Sequence, residues 1–169
     1  MKKSGYIVGE FRGDIVGTHT HINPYKSATF DTQIKDVLEK RKDSEFKRII
    51  ISSTPDLIIN LGLDADNVSV KKSVVLHHSR KTGHLSTAEE WICVANNLDI
   101  PIAYRKEDEN KYHLYYEIGE KLILVIVEKT KIGRYEDTIN VVTTFYNNHN
   151  LSKDVELGLA KRINQPSER

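Results

Sequence analysis

The chain of 169 residues has one cysteine, no long apolar run and almost no net charge. The single Cys93 excludes an internal disulfide and fits a reducing compartment. No apolar run approaches the roughly 20 residues that a transmembrane helix needs, and the N-terminal sequence becomes charged too early for a signal peptide. A net charge of +1 argues against broad, sequence-independent coating of DNA. We therefore expect a cytoplasmic protein that makes no membrane contact.

Sequence motifs for nucleotide and metal cofactors are also missing. The chain has no Walker loop, no GxGxxG and no pair of CxxC motifs. A His-x-His pair, His19 and His21 with Asp14 nearby, is a weak start for a metal site because no second ligand pair follows at a suitable spacing. We predict no cofactor and no metal, and keep a metal-dependent hydrolase built on His19 and His21 as a minor alternative.

Periodicity in the first part of the chain predicts helices separated by short strands. An amphipathic helix starts near Asp31, and strands are expected over 47–52 and 68–70. Between those strands, Thr54 has the position of a helix N-cap and Gly62 that of a helix stop. The glycine-rich residues before this region are expected to form a hairpin and a loop.

Two helices are predicted to meet in the middle of the chain. Ser73 can cap the first, which runs through VVLHHSRKT and ends at Gly83. Residues Ser86 to Glu89 form a capping box that opens the second. A helix that starts just after His84 would present backbone N–H donors and a positive dipole end there.

The last third of the chain alternates or runs apolar in four segments, which predicts an antiparallel meander. The segments are IPIAYRK, KYHLYYEIG, EKLILVIVEKT and TINVVTTFYN. A final helix, capped by Ser152 and running through KDVELGLAKRI, is expected after them. The fold class is therefore α+β, with N-terminal helices packed on a four-stranded antiparallel meander sheet. Residues 1–45 are expected to form an N-terminal extension and residues 46–165 the main domain.

The segment HHSRKTGH, residues 77–84, holds three of the seven histidines together with two cations and a threonine. Imidazoles exchange protons near neutral pH, and neighbouring cations neutralise a phosphate. RNA cleavage requires that the 2′-hydroxyl lose a proton, that the 5′-oxygen gain one and that charge at phosphorus be stabilised. The residues able to meet these needs are His77, His78, His84, Arg80 and Lys81, and on one continuous helix His77, Lys81 and His84 would share a face. The alternative is a solvated basic turn.

Other polar residues in the predicted sheet are candidates for substrate contacts. Thr143, Thr144 and Tyr146 end the last strand, where hydroxyls could orient a phosphate or an aromatic ring could stack on a base. Threonine and tyrosine also favour strands without any function. Arg105 and Lys129, on what are expected to be neighbouring strands, could supply charge to a transition state or could be ordinary solvated cations.

The order of these segments resembles the phage-associated domains of the barnase–EndoU–colicin–RelE nuclease superfamily. The resemblance covers roughly residues 47–148 and rests on TPDLIINLGL, VSVKKSVVLHHSRKTGHLS, IPIAYR and VVTTFYNNH. It implies a metal-independent ribonuclease on helices packed against a four-stranded sheet. His78 and His84 match its histidine motif, and Thr143 or Thr144 with Tyr146 match its terminal-strand motif. The doubled histidine leaves His77 or His78 open, and we favour His78.

The sequence thus predicts an endoribonuclease that forms a 2′,3′-cyclic phosphate and serves as a toxin or as a phage or mobile-element effector. It would act on RNA, with tRNA and mRNA both open, in the cytoplasm of the producing or target cell, and could meet an inhibitor or immunity protein. The expected catalytic residues are His78, His84, Lys81, Thr144 and Tyr146, and the expected substrate-binding residues are His77, Arg80, Thr143, Arg105 and Lys129. The alternative is a non-catalytic nucleic-acid- or protein-binding module on the same fold.

Overall fold

The computed structural model describes residues 25–26, 29–132, 136–146 and 151–163. Its helices are α1 (Phe30–Lys40), α2 (Asp56–Leu61), α3 (Lys72–His78), α4 (Ala88–Asn96) and α5 (Leu151–Glu156), with a 3-10 turn at Arg41–Asp43. Its strands are β1 (Arg48–Ser53), β2 (Asn67–Lys71), β3 (Ala103–Lys106), β4 (Lys111–Ile118), β5 (Lys121–Ile132), β6 (Glu136–Tyr146) and β7 (Lys161–Arg162). The predicted α+β class is confirmed, and the predicted N-terminal hairpin lies outside the described residues.

The sheet is larger than the predicted four-stranded meander. The meander is present as β3 to β6, but seven strands form one sheet in the order β1-β2-β6-β5-β4-β3-β7. β2 runs parallel to β6, and β1 pairs with β2 at one edge of the sheet. β7 pairs with β3 at the other edge, in a segment that we expected to be helical. These additions join segments far apart in the chain, so local periodicity does not reveal them.

β6 contains a β-bulge at Val142. Val141 is opposite Val127 and Thr143 is opposite Ile126, so Val142 is an extra residue in β6. Before the bulge, Val141 faces the same side of the sheet as Val127; after it, Thr144 faces that side, opposite Val125. The bulge therefore determines which residues at the end of β6 point towards the helices.

The main core lies between the sheet and the first four helices. Phe30, Ile34 and Val37 of α1 are fully buried in the same cluster as Trp91 of α4 and Val125 of β5. Although we assigned α1 to the N-terminal extension, its apolar face is thus part of the core shared with the sheet. α5 contributes Leu151 to a separate, smaller cluster, which also holds Ala103, Tyr115, Leu124 and Ala160.

Several helix ends differ from the sequence prediction by a few residues. Pro55 is the N-cap of α2, one residue later than expected, whereas Gly62 ends that helix as predicted, with φ at 122°. At Gly62 a Cβ would lie 2.6 Å from the Tyr112 hydroxyl, which donates a hydrogen bond to the carbonyl of Leu61. None of the helices in the described ranges is long and apolar enough to span a membrane.

Helix α3 ends at His78, five residues before the predicted stop at Gly83. The Ser79 hydroxyl donates to the carbonyl of Leu76 at 2.7 Å, and the chain then turns. His84 is therefore not on the same helix as His77, and the shared helical face of His77, Lys81 and His84 does not exist. The three histidines are instead brought together by tertiary folding.

Candidate active site

The end of β6 lacks a strand neighbour on the β2 side within the described residues, and His78 occupies that place. β2 pairs with β6 only as far as Val141, and the chain then enters α3. The backbone N–H of Thr144 donates to Nε2 of His78 at 3.3 Å. The backbone N–H of Tyr146 donates to the carbonyl of Gly83 at 2.8 Å. The end of α3 and the following loop therefore complete the hydrogen bonding of this strand.

His78 is almost completely buried, with 3% of its surface exposed. It follows the buried Val75 by one helical turn and so lies on the inward face of α3. Burial lowers the pKa of His78 to about 4, and the positive charges of His84, His77 and Lys81 act in the same direction, whereas the backbone of Val142 opposes them. At neutral pH the ring is therefore an uncharged acceptor for the Thr144 N–H.

His77 and His84 each lie against this buried ring, and the three residues form what we call the histidine cluster. The ring centroids of His78 and His84 are 4.7 Å apart and stacked, and those of His77 and His78 are 5.6 Å apart and tilted. His77 is exposed and His84 is half-buried, with its ring 5.8 Å from that of Phe145. The imidazoles that a substrate can reach are thus His77 and His84.

The histidine cluster retains unused hydrogen-bonding capacity. Nδ1 of His78, Nδ1 of His84 and Oγ1 of Thr144 are all buried and have no hydrogen-bond partner in the described part of the chain. Most buried polar atoms in proteins are paired. Three such atoms in His78, its stacking partner His84 and its hydrogen-bond donor Thr144 are an unusual concentration of unpaired buried groups.

Two exposed cations follow α3 and lie next to the cluster along the chain. The N–H of Lys81 donates to the carbonyl of His78 at 3.0 Å, and that of Arg80 to the carbonyl of His77 at 3.4 Å. Both side chains are exposed. Two exposed cations thus follow the histidines of α3 closely in the chain, and a guanidinium or an ammonium can neutralise a phosphate oxygen.

Tyr146 is held by two residues that the sequence prediction did not include. Its hydroxyl donates to the carboxylate of Glu90, and the Lys121 ammonium lies 4.8 Å from its ring centroid. Burial, followed by the hydrogen bond to Glu90, raises the pKa of Tyr146 to about 12. The proton of Tyr146 therefore stays on the hydroxyl at neutral pH.

Glu90 also fixes the start of α4, just after His84. The capping box pairs Thr87 with Glu90, one residue later than the predicted Ser86 and Glu89. Oε1 of Glu90 accepts from the backbone N–H groups of Ser86 at 2.8 Å and Thr87 at 3.1 Å. Glu90 thus joins the loop that carries His84 to the end of β6. In the sequence, the only indication of this role is that Glu90 has the position of a capping-box acid, at the third residue of α4.

The other predicted site residues are not all brought to the cluster. Thr144 is buried against His78, whereas Thr143 is on the opposite face of β6, opposite Ile126. Arg105 lies on β3, three strands away from β6, where it lines a surface cavity of about 320 Å³. Lys129 contacts Asp137 at 3.7 Å near another cavity of about 330 Å³. Arg105 and Lys129 are not on neighbouring strands, because β4 separates β3 from β5.

The weak metal pattern of the sequence is not tested, since His19 and His21 lie outside the described residues. Within the described ranges, no group of three or more histidine, cysteine, aspartate or glutamate side chains is arranged to hold a metal ion. The accessible chemistry near the histidine cluster is that of imidazoles, cations and hydroxyls.

Comparisons of the chain with protein-family models, curated proteins and solved structures gave no match. A function is therefore inferred from the geometry and chemistry of the histidine cluster.

Proposed function

We propose that this protein is an endoribonuclease that cleaves RNA by attack of the 2′-hydroxyl on phosphorus, without a metal ion. One observation carries the proposal: two accessible imidazoles, His77 and His84, contact the same buried ring of His78 beside Arg80 and Lys81. Two proton-transfer groups and a phosphate-binding cation are the components that this reaction requires.

In the proposed mechanism, one of His77 and His84 accepts the proton of the 2′-hydroxyl. The 2′-oxygen then forms a bond to phosphorus, and the bond from phosphorus to the 5′-oxygen breaks. The other imidazole donates a proton to that leaving oxygen, so the products are a 2′,3′-cyclic phosphate and a 5′-hydroxyl. Arg80 and Lys81 neutralise the phosphoryl oxygens as negative charge develops on them. Exchange of protons with water restores both imidazoles.

His78, which we expected to be catalytic, has a positioning role in this proposal. Its burial and its pKa of about 4 make it a poor proton carrier at neutral pH. It contacts both accessible rings and accepts from Thr144, so it sets the positions of the two imidazoles relative to the sheet. Thr144, which we also expected to be catalytic, is buried against His78 and is likewise out of the reach of a substrate.

The biological setting follows from the resemblance described above. The protein would act as a toxin or as a phage or mobile-element effector, on RNA in the cytoplasm of the producing or target cell. An enzyme of this kind requires restraint in the cell that makes it, which is the place for an inhibitor or immunity protein.

Cleavage of total RNA in the presence of EDTA, with mapping of the cut ends, tests the proposal. We expect 2′,3′-cyclic phosphate ends, and we expect His84→Ala and His77→Ala each to lower kcat by roughly 10²-fold or more, because general acid–base catalysis contributes factors of that size. His113→Ala is the matched control, since His113 lies on β4 and contacts Glu107 instead of the cluster. Cleavage by both cluster variants at the rate of the control would refute the mechanism.

A non-catalytic RNA-binding module is the second candidate. It is favoured by the burial of His78 and by the position of the two described cavities, which lie away from the cluster. In that case a labelled RNA would bind, the Arg80→Gln/Lys81→Gln variant would bind it less tightly, and prolonged incubation would yield no cyclic phosphate ends.

A further inference from the structure

A cavity of about 320 Å³ lies at the edge of the sheet opposite β1, where β7 pairs with β3. We call it the β3–β7 cavity. β7 pairs only with Ala103 and Tyr104, so Arg105 and Lys106 extend beyond it along the edge. The turn between α5 and β7 closes the other side, and the lining residues are Tyr104, Arg105, Lys106, Gly158, Leu159 and Lys161.

The lining of the β3–β7 cavity carries three positive charges and no negative charge. Arg105, Lys106 and Lys161 are all exposed, and they come from two adjacent strands. Of these, only Lys106 forms an ion pair among the described residues, at 3.2 Å from Glu109. Arg105 and Lys161 therefore keep charge available for an anion.

The acidic turn between β3 and β4 does not neutralise this cavity. Glu107 is 2.7 Å from His113 and 3.5 Å from Lys111, both on β4. Asp108 accepts a hydrogen bond from the backbone of Asn110 at 2.8 Å. The carboxylates of this turn are thus engaged with their own neighbours. Asp154 of α5 and Arg105 act in opposite directions on the pKa of Tyr115, which the carboxylate raises and the guanidinium lowers.

An aromatic ring completes the wall. Tyr104 is half-buried, and its ring stacks on that of Tyr112 with centroids 6.2 Å apart. Tyr104 and the apolar Leu159 both line the cavity, and stacking on Tyr112 restrains the Tyr104 ring. A ligand with an anionic end and a flat apolar part is complementary to such a surface.

We propose that the β3–β7 cavity binds the phosphate of a nucleotide, with Arg105 and Lys161 on the phosphate oxygens and the base or ribose against Tyr104. Arginine forms paired hydrogen bonds to phosphate, and lysine adds a point charge. The volume is at the lower end of the range of small-ligand sites, which suits a single nucleotide unit. That unit can be part of a single-stranded RNA or a free nucleotide, and the chemistry recognised is the same.

Binding can be measured separately from cleavage. A fluorescein-labelled 2′-O-methyl RNA oligonucleotide has no free 2′-hydroxyl to attack phosphorus, so its fluorescence polarisation reports binding alone. We expect Arg105→Gln/Lys161→Gln to weaken binding about tenfold at low salt, and to reduce the slope of log K against log salt by about 0.7, which corresponds to one neutralised phosphate. Adenosine 5′-monophosphate, titrated by calorimetry, tests the free nucleotide.

The matched control is Lys35→Gln/Lys47→Gln, which removes two exposed positive charges from α1 and from the residue before β1. We expect it to change the dissociation constant less than about twofold, because it lies at the other end of the sheet order. Loss of monophosphate binding in the cavity variant supports a free nucleotide, and loss of oligonucleotide binding alone supports an RNA segment.

Equal weakening by the cavity variant and the control, or no weakening by either, would overturn the proposal. The same titrations in the His84→Ala background keep the proposed cleavage reaction separate. Binding that depends on the cavity residues, without RNA cleavage, would show a functional β3–β7 cavity and an inactive histidine cluster. Cleavage without such binding would show the reverse.

Discussion

His78 supplies an imidazole nitrogen where a β-sheet ordinarily supplies a backbone carbonyl. Nε2 accepts the N–H of Thr144 in a place that β2 would occupy if it continued beyond Lys71. A carbonyl does not titrate in the physiological range, but an imidazole does. Protonation of His78 at Nε2 would therefore remove the acceptor of the Thr144 N–H at the end of β6.

We predict that His78 makes the protein less stable in mild acid. The pKa of His78 is about 4 in the folded protein and 6.5 in the unfolded reference, so protons bind the unfolded chain preferentially. Stability is then fully present above about pH 6.5 and declines as the pH falls towards 4, by about 3 kcal/mol from this group. Urea unfolding at pH 7 and pH 4, followed by fluorescence of the single Trp91, measures the loss.

His78→Gln isolates this contribution, because the glutamine oxygen can accept the Thr144 N–H without titrating. Carboxylates with lowered pKa values, such as those of Asp36 and Glu90, destabilise both proteins equally in acid. The difference in unfolding free energy between pH 7 and pH 4 should therefore be about 3 kcal/mol smaller in His78→Gln. The same difference in both proteins would show that His78 does not titrate on unfolding.

At the scale of single residues, sequence reasoning located the cluster but not the role of its members. The spacing from Val75 to His78 is one helical turn, which was the available signal that His78 faces inward. The contact of Lys121 with Tyr146 could not be predicted from the sequence, because it depends on the register between β5 and β6.

At the scale of elements, the junction between α3 and α4 is held by polar side chains in addition to the buried Leu85. Glu90 accepts from the backbone of Ser86 and Thr87 and also binds the Tyr146 hydroxyl. One carboxylate therefore joins a helix start, a loop and a strand end. The loop that carries His84 has a fixed position because of it.

We predict that Thr87→Ala lowers the free energy of unfolding by about 1 kcal/mol, the usual cost of removing an N-cap side chain. The Thr87 hydroxyl accepts from the N–H of Glu90 at 3.2 Å, and that bond is lost. Urea unfolding at neutral pH measures the change.

Ser86→Ala is the control for this prediction, because the Ser86 hydroxyl makes only a 3.4 Å contact to Glu90. Its expected cost is less than about 0.5 kcal/mol. A larger loss for Ser86→Ala than for Thr87→Ala would place the cap where the sequence pattern first suggested it.

The capping box shows how far local patterns reach. Ser86, Thr87, Glu89 and Glu90 offer two overlapping boxes, and the choice between them depends on Tyr146, which binds Glu90 from another element. The four strands of the meander were found because each alternates over eight or more residues or lies beside one that does. A two-residue strand such as β7 has no period to detect.

At the scale of the whole molecule, α1 is a structural part of the domain. Phe30 is fully buried in the cluster that holds Trp91 and the helix-facing residues of the sheet. The parallel pairing of β2 with β6 likewise joins the middle of the chain to its last third. Neither contact could be read from the sequence, because each depends on residues far apart along it.

We predict that Phe30→Ala destabilises the whole domain by about 3–5 kcal/mol, the range for removing a buried phenylalanine side chain. Trp91 fluorescence and far-ultraviolet circular dichroism should shift together in urea, because α1 and α4 share one core. Leu157→Ala, at a position that is 63% exposed, should change stability by less than about 0.5 kcal/mol. A Phe30→Ala protein with unchanged Trp91 unfolding would mean that α1 docks as a separate unit.

The bulge at Val142 has a consequence for how this chain can be compared with others. If β6 kept a regular alternation through Val142, Thr143 and Phe145 would continue the helix-facing side begun by Ile139 and Val141, and Thr144 and Tyr146 would face away from the histidines. The hydroxyls offered to the cluster are thus selected by the bulge as much as by the residue types. In any relative, loss of the bulge with no change in the number of residues would exchange the two faces, whereas deletion of the bulged residue would keep them, so an alignment that matches threonine to threonine could pair side chains on opposite sides of the sheet.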